Sequence, residues 1–311
     1  MPPVDRNNPS RAKSSDSRVS LMEFLQDFPD DATCLEWLWR NRYSEDGEHA
    51  HCPKCDRERM FKRYATTQQR QSWTCSACGH HLHPTAGTIF AKSSTSLKLW
   101  FYAIYLMSST RCGISAKQLE REIGVNYKTA LRMLREIRTH LMAQDEEPLS
   151  GEVEADETFM GGKPHAYPKQ QKNWHWARKS IVFGAVERQG QIRAGVIPNS
   201  AGPTMTRAMH RFVLPGVRLI TDDAAWYRSM GKHYEHQRIN HSAAIYVDGD
   251  VYTNTIEGFF GLLKNGIRGT YHSVSKKHLP TYLNEYVWRY NHRADDRAQF
   301  ASLLLSAARG R

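Results

Sequence analysis

The stretch Val153-Glu154-Ala155-Asp156-Glu157-Thr158-Phe159 alternates apolar and polar side chains, the two-residue period of a half-buried strand. It carries three carboxylates, Glu154, Asp156 and Glu157, on a segment otherwise suited to sheet core. Further apolar segments follow at 180–188 (SIVFGAVER), 191–199 (QIRAGVIPN) and 217–222 (VRLITD), with helical patterns between and after them. Strands alternating with helices predict an α/β domain from residue 152 to 300.

Two more acidic positions belong with Asp156. Asp222 and Asp223 follow the apolar run VRLI, where a strand ends and its carboxylates reach the end of a sheet. Asn254-Thr-Ile-Glu257-Gly-Phe-Phe-Gly-Leu-Leu-Lys264 has helical spacing, with Asn254, Glu257, Gly261 and Lys264 on one face and Ile256, Phe259, Phe260 and Leu263 on the core face. An acid on a first strand, an acid on a later strand and a polar ligand on a following helix are the parts of a two-Mg²⁺ phosphoryl-transfer site, because such ions need hard oxygen ligands. Singly, each acid is an ordinary strand-end or helix-surface carboxylate. The joint case rests on order, element type and the lysine on the same helix face.

Cys52-Pro-Lys-Cys55 and Cys75-Ser-Ala-Cys78 form two C-x2-C pairs, nineteen residues apart. Zinc takes four thiolates at tetrahedral corners, and each knuckle supplies two, so this spacing predicts a structural Zn²⁺ ribbon over residues 51–90. A redox pair or four buried thiols would not require two knuckles at ribbon spacing. Four protein ligands leave no open position for catalysis. Arg57, Arg59, Lys62, Arg63 and Arg70 decorate this module and suit phosphate contact. Cys34 and Cys112 stand alone and are expected in the core.

Between 91 and 142 the pattern is helical. Residues 95–108 are apolar nearly all round. Ser115 then caps a helix bearing Leu119 and Ile123, Gly124 breaks it, and Asn126 caps a second helix with Ala130, Leu131, Leu134 and Ile137 inward. That is a helix-turn-helix pattern, with Tyr127, Lys128, Arg132 and Arg135 facing a DNA groove. An ordinary αα-hairpin gives the same pattern; the basic ribbon beside it favours DNA.

Forty-three Lys and Arg against thirty-two Asp and Glu give a net charge of +11. Residues 1–50 sum to −4, 51–140 to +10, 141–150 to −3 and the remainder to +8. A +10 block of ninety residues points to a polyanionic partner, nucleic acid before membrane. Residues 1–19, polar and poor in large apolar side chains, are expected to be a disordered tail; 20–50 a short helical segment; 143–151 a linker; 301–311 a C-terminal tail. The start of the chain has no apolar core of a secretory signal and no stretch approaches the roughly 20 apolar residues of a membrane span, so a cytoplasmic, nucleoid-associated protein is expected. The basic stretch Lys163–Lys179 is either a second DNA surface or a flexible loop over the site.

Several motifs in this order also resemble bacterial insertion-sequence transposases of the IS1595 group, whose catalytic part is the ISXO2-like transposase domain: CPKC…CSACG, GTIFAKSSTSLKLWFYAIYLMSS, GISAKQLEREIGVNYKTALRML, VEADETFMGGK, VFGAVER and TNTIEGFFGLLKNGIRGTYHSVSKKHL…YVWRYNHR. The resemblance implies an α+β multidomain chain, with the zinc ribbon and helix-turn-helix followed by an RNase H-like α/β domain with a mixed sheet. It implies DDE-type cleavage and joining of double-stranded DNA, at terminal inverted repeats and target, by a homo-oligomer assembled on the ends, with Mg²⁺ or Mn²⁺ as cofactor. It maps the first acid to Asp156 and the second to Asp222. The third is Glu257, seven residues before Lys264, or Asn254 one turn earlier. His241 matches a family motif without a role. The competing function is a non-enzymatic DNA-binding protein, a domesticated transposase or transcription regulator; a nuclease or resolvase of the same fold is a third.

Overall fold

The computed structural model describes residues 19–64, 71–161, 179–240, 243, 247–295 and 298–310. The expectations for a disordered tail over 1–18, for Lys163–Lys179 up to residue 178, for Arg70 and for His241 lie outside the described residues. The chain forms two compact units, one of residues 1–141 with 294–311 and the other of residues 142–293.

In the first unit, Ser20 opens helix α1 (Leu21–Asp27) with a reciprocal capping box to Glu23, and Asp30 caps α2 (Asp31–Arg42) through the Thr33 N–H. Four antiparallel strands follow in sheet order: β1 (His49–Cys52), β2 (Arg57–Tyr64), β3 (Ser72–Cys75) and β4 (His81–Leu82). This small sheet could bury little by itself. It leans on α2, where Trp73 of β3 stacks on Trp39 with ring centroids 4.7 Å apart and planes 7° from parallel. Such a pair contributes about 0.5–1.5 kcal/mol beyond its burial.

Three further helices, α3 (Leu97–Ser109), α4 (Ala116–Ile123) and α5 (Tyr127–Glu136), complete the run before the second unit. The helix Gln299–Arg309 returns to this first unit, so residues 301–311 are not the expected tail. Its Phe300, Leu303, Leu304, Ala307 and Ala308 recur at helical spacing and are buried, and the Phe300 ring meets Phe24, Phe28 and Tyr105.

Five strands make the second unit's sheet: β5 (Glu152–Met160), β6 (Ser180–Glu187), β7 (Ile192–Ile197), β8 (Arg218–Asp222) and β9 (Glu235–Ile239), in the order β7-β6-β5-β8-β9. β7, β6 and β5 are antiparallel neighbours, while β5, β8 and β9 run parallel, so the sheet is mixed. Strand alternation sorts the two faces. Val153, Ala155, Phe183, Ala185 and Leu219 pack on Met205, Met209 and Phe212 of α6 (Gly202–Phe212). Val182, Val186, Ile192 and Ala194 pack on the opposite side with Ile256, Phe259, Phe260 and Leu263 of α7 (Asn254–Gly266) and Leu283 and Val287 of α8 (Leu279–Asn291).

Residues 143–151 are part of this unit rather than a free linker. Gln144 exchanges two hydrogen bonds with the Ala194 backbone, at 2.9 and 3.0 Å. Buried Leu149 bridges to Val213 and donates its N–H to Phe212 O at 2.7 Å. Polar punctuation around one apolar anchor is a strap here.

Candidate active site and four-cysteine centre

β5 brings the acids together. The β5–β8 pairing ends with Glu154 opposite Ile220; continuing that register by two residues on each strand reaches Asp156 and Asp222, and the charge of Asp222 acts on the Asp156 carboxyl. Both share strand parity with Glu154 and Met160, which places them on the side of the sheet that α7 covers. Asp156 lies opposite Gly184 of β6, and a β-carbon at Gly184 would stand 2.9 Å from Ile256 Cδ1 and 3.1 Å from Phe260 Cζ. The missing side chain lets α7 settle close to the sheet beside Asp156.

On α7, Asn254 and Glu257 are exposed and Lys264 is half-buried, while Ile256, Phe259, Phe260 and Leu263 are buried as the helical pattern predicts. The Thr253 hydroxyl donates to Glu257 Oε1 at 2.9 Å. The Ala224 N–H donates to Asp222 Oδ1 at 3.1 Å, turning the chain as it leaves β8.

Burial first, then the charges of Glu157, Asp222 and Glu257, push the Asp156 carboxyl up to about 8, against a backbone hydrogen bond that favours its ionised form. Desolvation, with Arg268 and Lys179, lowers Lys264, while Asp156 pulls it back up. Asp156, Asp222 and Glu257 offer hard oxygen donors of the kind a divalent cation takes.

The two carboxylates that flank Asp156 in the sequence each make long-range hydrogen bonds. Glu154, fully buried, accepts from the N–H groups of Thr255 and Ile256 at 2.9 and 3.2 Å, from the Thr255 hydroxyl at 2.9 Å and from Arg188 Nε at 3.0 Å. Glu157, on the opposite face, accepts from Tyr227 OH at 2.6 Å and Trp226 Nε1 at 3.3 Å. The strand period signals that Glu154 points with Asp156 and Glu157 away from it; their partners are invisible to local pattern.

The sulfurs of Cys52, Cys55, Cys75 and Cys78 lie within 4.8 Å of one another, with Cys52 Sγ and Cys78 Sγ at 3.6 Å. A tetrahedral zinc with bonds of about 2.3 Å sets its sulfurs about 3.8 Å apart, so this donor set fits such an ion. Burial opposes ionisation of Cys75, yet the N–H groups of Cys78 and Ala77 bring its thiol down to about 7. Cys34 is buried as expected. Cys112 is exposed, in the turn after α3, and is not a core residue.

The α4–α5 pair has the expected caps. Ser115 Oγ accepts from Gln118 N at 3.1 Å, Gly124 ends α4 at φ 68°, and Asn126 Oδ1 accepts from Thr129 N at 2.9 Å. Ala130, Leu134 and Ile137 are buried, but Leu131 is exposed and Met133 takes the inward place. Counting from the Asn126 cap, positions 130, 133, 134 and 137 form the helical stripe, and 131 falls off it. Tyr127, Lys128 and Arg135 are exposed. Arg132 is exposed as well; its guanidinium lies 5.4 Å from the Trp100 ring centre and donates to Ser93 Oγ at 3.2 Å.

A mixed sheet with clustered carboxylates under a helix, in a chain with a four-thiol knuckle pair, defines a class that sequence similarity then narrows. Residues 148–291 match the family model of the ISXO2-like transposase domain, which bears out the resemblance over that stretch. The chain is also similar to an uncharacterized protein in transposable element ISH50 from Halobacterium salinarum, 26% identical over 268 residues, spanning 81% of this chain and 86% of that one. No helix among the described residues is long and apolar enough to cross a membrane.

Proposed function

We propose that the chain is a DNA transposase that binds the inverted-repeat ends of an insertion sequence and carries out metal-dependent strand cleavage and strand transfer. The observation that carries this reading is that Asp156 and Asp222 lie two residues beyond the last paired residues of the parallel strands β5 and β8, on the sheet face that packs against the helix bearing Glu257 and Lys264. The strand order, with antiparallel β6 and β7 on one side of β5 and parallel β8 and β9 on the other, supports an RNase H-like domain.

Asp156, Asp222 and Glu257 would hold Mg²⁺ or Mn²⁺, which activates the attacking oxygen and neutralises charge on the leaving one. Glu257, rather than Asn254, is the preferred third ligand because its charge reaches Asp156. The Asp156 carboxyl, raised by burial and its acidic neighbours, would be ionised by a cation bound there. Lys264, with Arg268 and Lys179 near it, contacts the DNA phosphate close to the cut. In the first unit, the four cysteines bind structural Zn²⁺ and the α4–α5 pair acts as a helix-turn-helix, presenting Tyr127, Lys128, Arg132 and Arg135 to DNA. A homo-oligomer on paired ends follows from a reaction that joins two ends to one target.

The test is incubation of the purified full chain with a duplex carrying the element's terminal inverted repeat and Mg²⁺. Nicking at the repeat boundary and joined products support the transposase; stable binding without cleavage supports the non-enzymatic DNA-binding alternative.

A further inference from the structure

We propose that Glu154 and Glu157, the carboxylates on either side of Asp156 in β5, are positioning residues that set the third and second acids of the site; the inference rests on the two-metal reading above. The two neighbours point to opposite faces of one strand, and each reaches the element that bears a different ligand.

Glu154 holds the start of α7. The residue at that helix's N-cap position, Thr253, makes no side-chain bond to the helix backbone. Its hydroxyl goes to Glu257 instead. The first-turn N–H groups of Thr255 and Ile256 are satisfied from across the fold by Glu154, whose negative charge also complements the helix N-terminus. Arg188 pins this carboxylate through Nε at 3.0 Å and donates Nη2 to Tyr252 O at 3.1 Å, just ahead of the helix. Strand β5 therefore sets the axial position and rotation of α7, and with them Glu257.

Glu157 holds the chain that leaves β8. Tyr227 and Trp226, its two donors, belong to the short helical turn Ala225–Tyr227, which begins three residues after Asp222. Tyr227 is fully buried, so its hydroxyl has one fixed address. Together with the Ala224 N–H on Asp222 Oδ1, this bond fixes the exit of the second acid.

Stability alone argues against such residues. Buried carboxylates beside a third one carry desolvation and repulsion costs that apolar or amide side chains of similar volume would not. What the charges supply is geometry: ligands from two distant elements referred to one rigid strand, as supporting hydrogen bonds do at metal sites generally.

The test measures Mn²⁺ binding to the zinc-loaded full chain by titration calorimetry, independent of turnover. Asp156→Ala should abolish the site. Glu154→Gln and Glu157→Gln should weaken Mn²⁺ about tenfold, and the milder Thr255→Val and Tyr227→Phe, which keep packing, about threefold. Melting temperatures of the milder pair and end-duplex binding of all four should stay near wild type. Amide hydrogen exchange at 254–257 should quicken in Glu154→Gln. If Asp156→Ala loses Mn²⁺ while folded Thr255→Val and Tyr227→Phe bind it as wild type does, the positioning roles are wrong and the two-metal reading stands. Unchanged Mn²⁺ binding in Asp156→Ala overturns both.

Discussion

Gly184 is the cross-strand partner of Asp156, and the space its side chain would fill is occupied by Ile256 and Phe260 of α7. The strand that faces Asp156 thus carries a hydrogen where the helix of Glu257 approaches. Ile256 Cδ1 can swing away from a single methyl, so Gly184→Ala should be tolerated with a small loss of stability. Gly184→Val should cost about 1–3 kcal/mol by overpacking and lift α7 from the sheet. Thermal unfolding checks the first effect. Loss of Mg²⁺-dependent cleavage, with end binding intact, checks the second.

The Asp156 carboxyl gives a pH prediction with a definite sign. Raised to about 8 in the folded chain from an ordinary 3.8, it keeps a proton that the unfolded chain has already released. Its contribution to stability is complete below about pH 4 and is lost as pH rises through 8. In the absence of divalent cation the melting temperature should fall between pH 6 and 8, and added Mg²⁺ should restore it most at the alkaline end. Asp156→Asn should melt higher than wild type at pH 8.5 and show no response to Mg²⁺. A wild-type melting temperature flat across this range would refute the crowded-carboxylate account.

For the cysteine centre, atomic absorption should find one zinc per chain, and Cys52→Ser should lose it. Because Trp73 stacks on Trp39, the damage should pass from the ribbon into α2 and appear as a change in tryptophan fluorescence. Residues 142–293 should remain resistant to limited proteolysis. Stoichiometric zinc retained in Cys52→Ser would show that the ligand set is wrong.

On α5 the four sequence candidates should separate. Lys128→Ala and Arg135→Ala should weaken end binding and each reduce the slope of log K against log salt by about 0.9, the expectation when one phosphate is no longer neutralised. Arg132→Ala should in addition lower the melting temperature, since its exposed guanidinium also rests on Trp100 and Ser93. Fluorescence anisotropy across a salt series, with thermal unfolding alongside, measures both kinds of effect. Wild-type salt slopes in Lys128→Ala and Arg135→Ala would remove this helix from the DNA interface.

Local periodicity made a good part of this molecule legible. The two-residue alternation around Asp156, the helical face of Asn254, Glu257 and Lys264, the paired knuckles and the caps at Ser115 and Asn126 all depend on neighbours within a few residues, and each has its predicted form. What pattern could not supply was contact across the fold. Glu154 reads as one more strand carboxylate until Thr255, 101 residues away, takes its place above it. Leu131 and Met133 differ by a rotation of the helix that the cap sets and that an apolar count alone does not. The strap at Leu149 is masked by polar neighbours, whereas the apolar spacing from Phe300 to Ala308 already held the signal of the C-terminal helix.

The most direct measurement is cleavage of an end-bearing duplex with Mg²⁺ by wild type, Asp156→Ala and Asp222→Ala, each first shown to be folded and to bind the duplex. The account predicts that wild type nicks at the repeat boundary and that either substitution lowers the rate by at least about a thousandfold, because charge neutralisation at the bound cations supplies most of the transition-state stabilisation, while duplex affinity stays within about twofold. Cleavage by Asp156→Ala at a rate near wild type would contradict it.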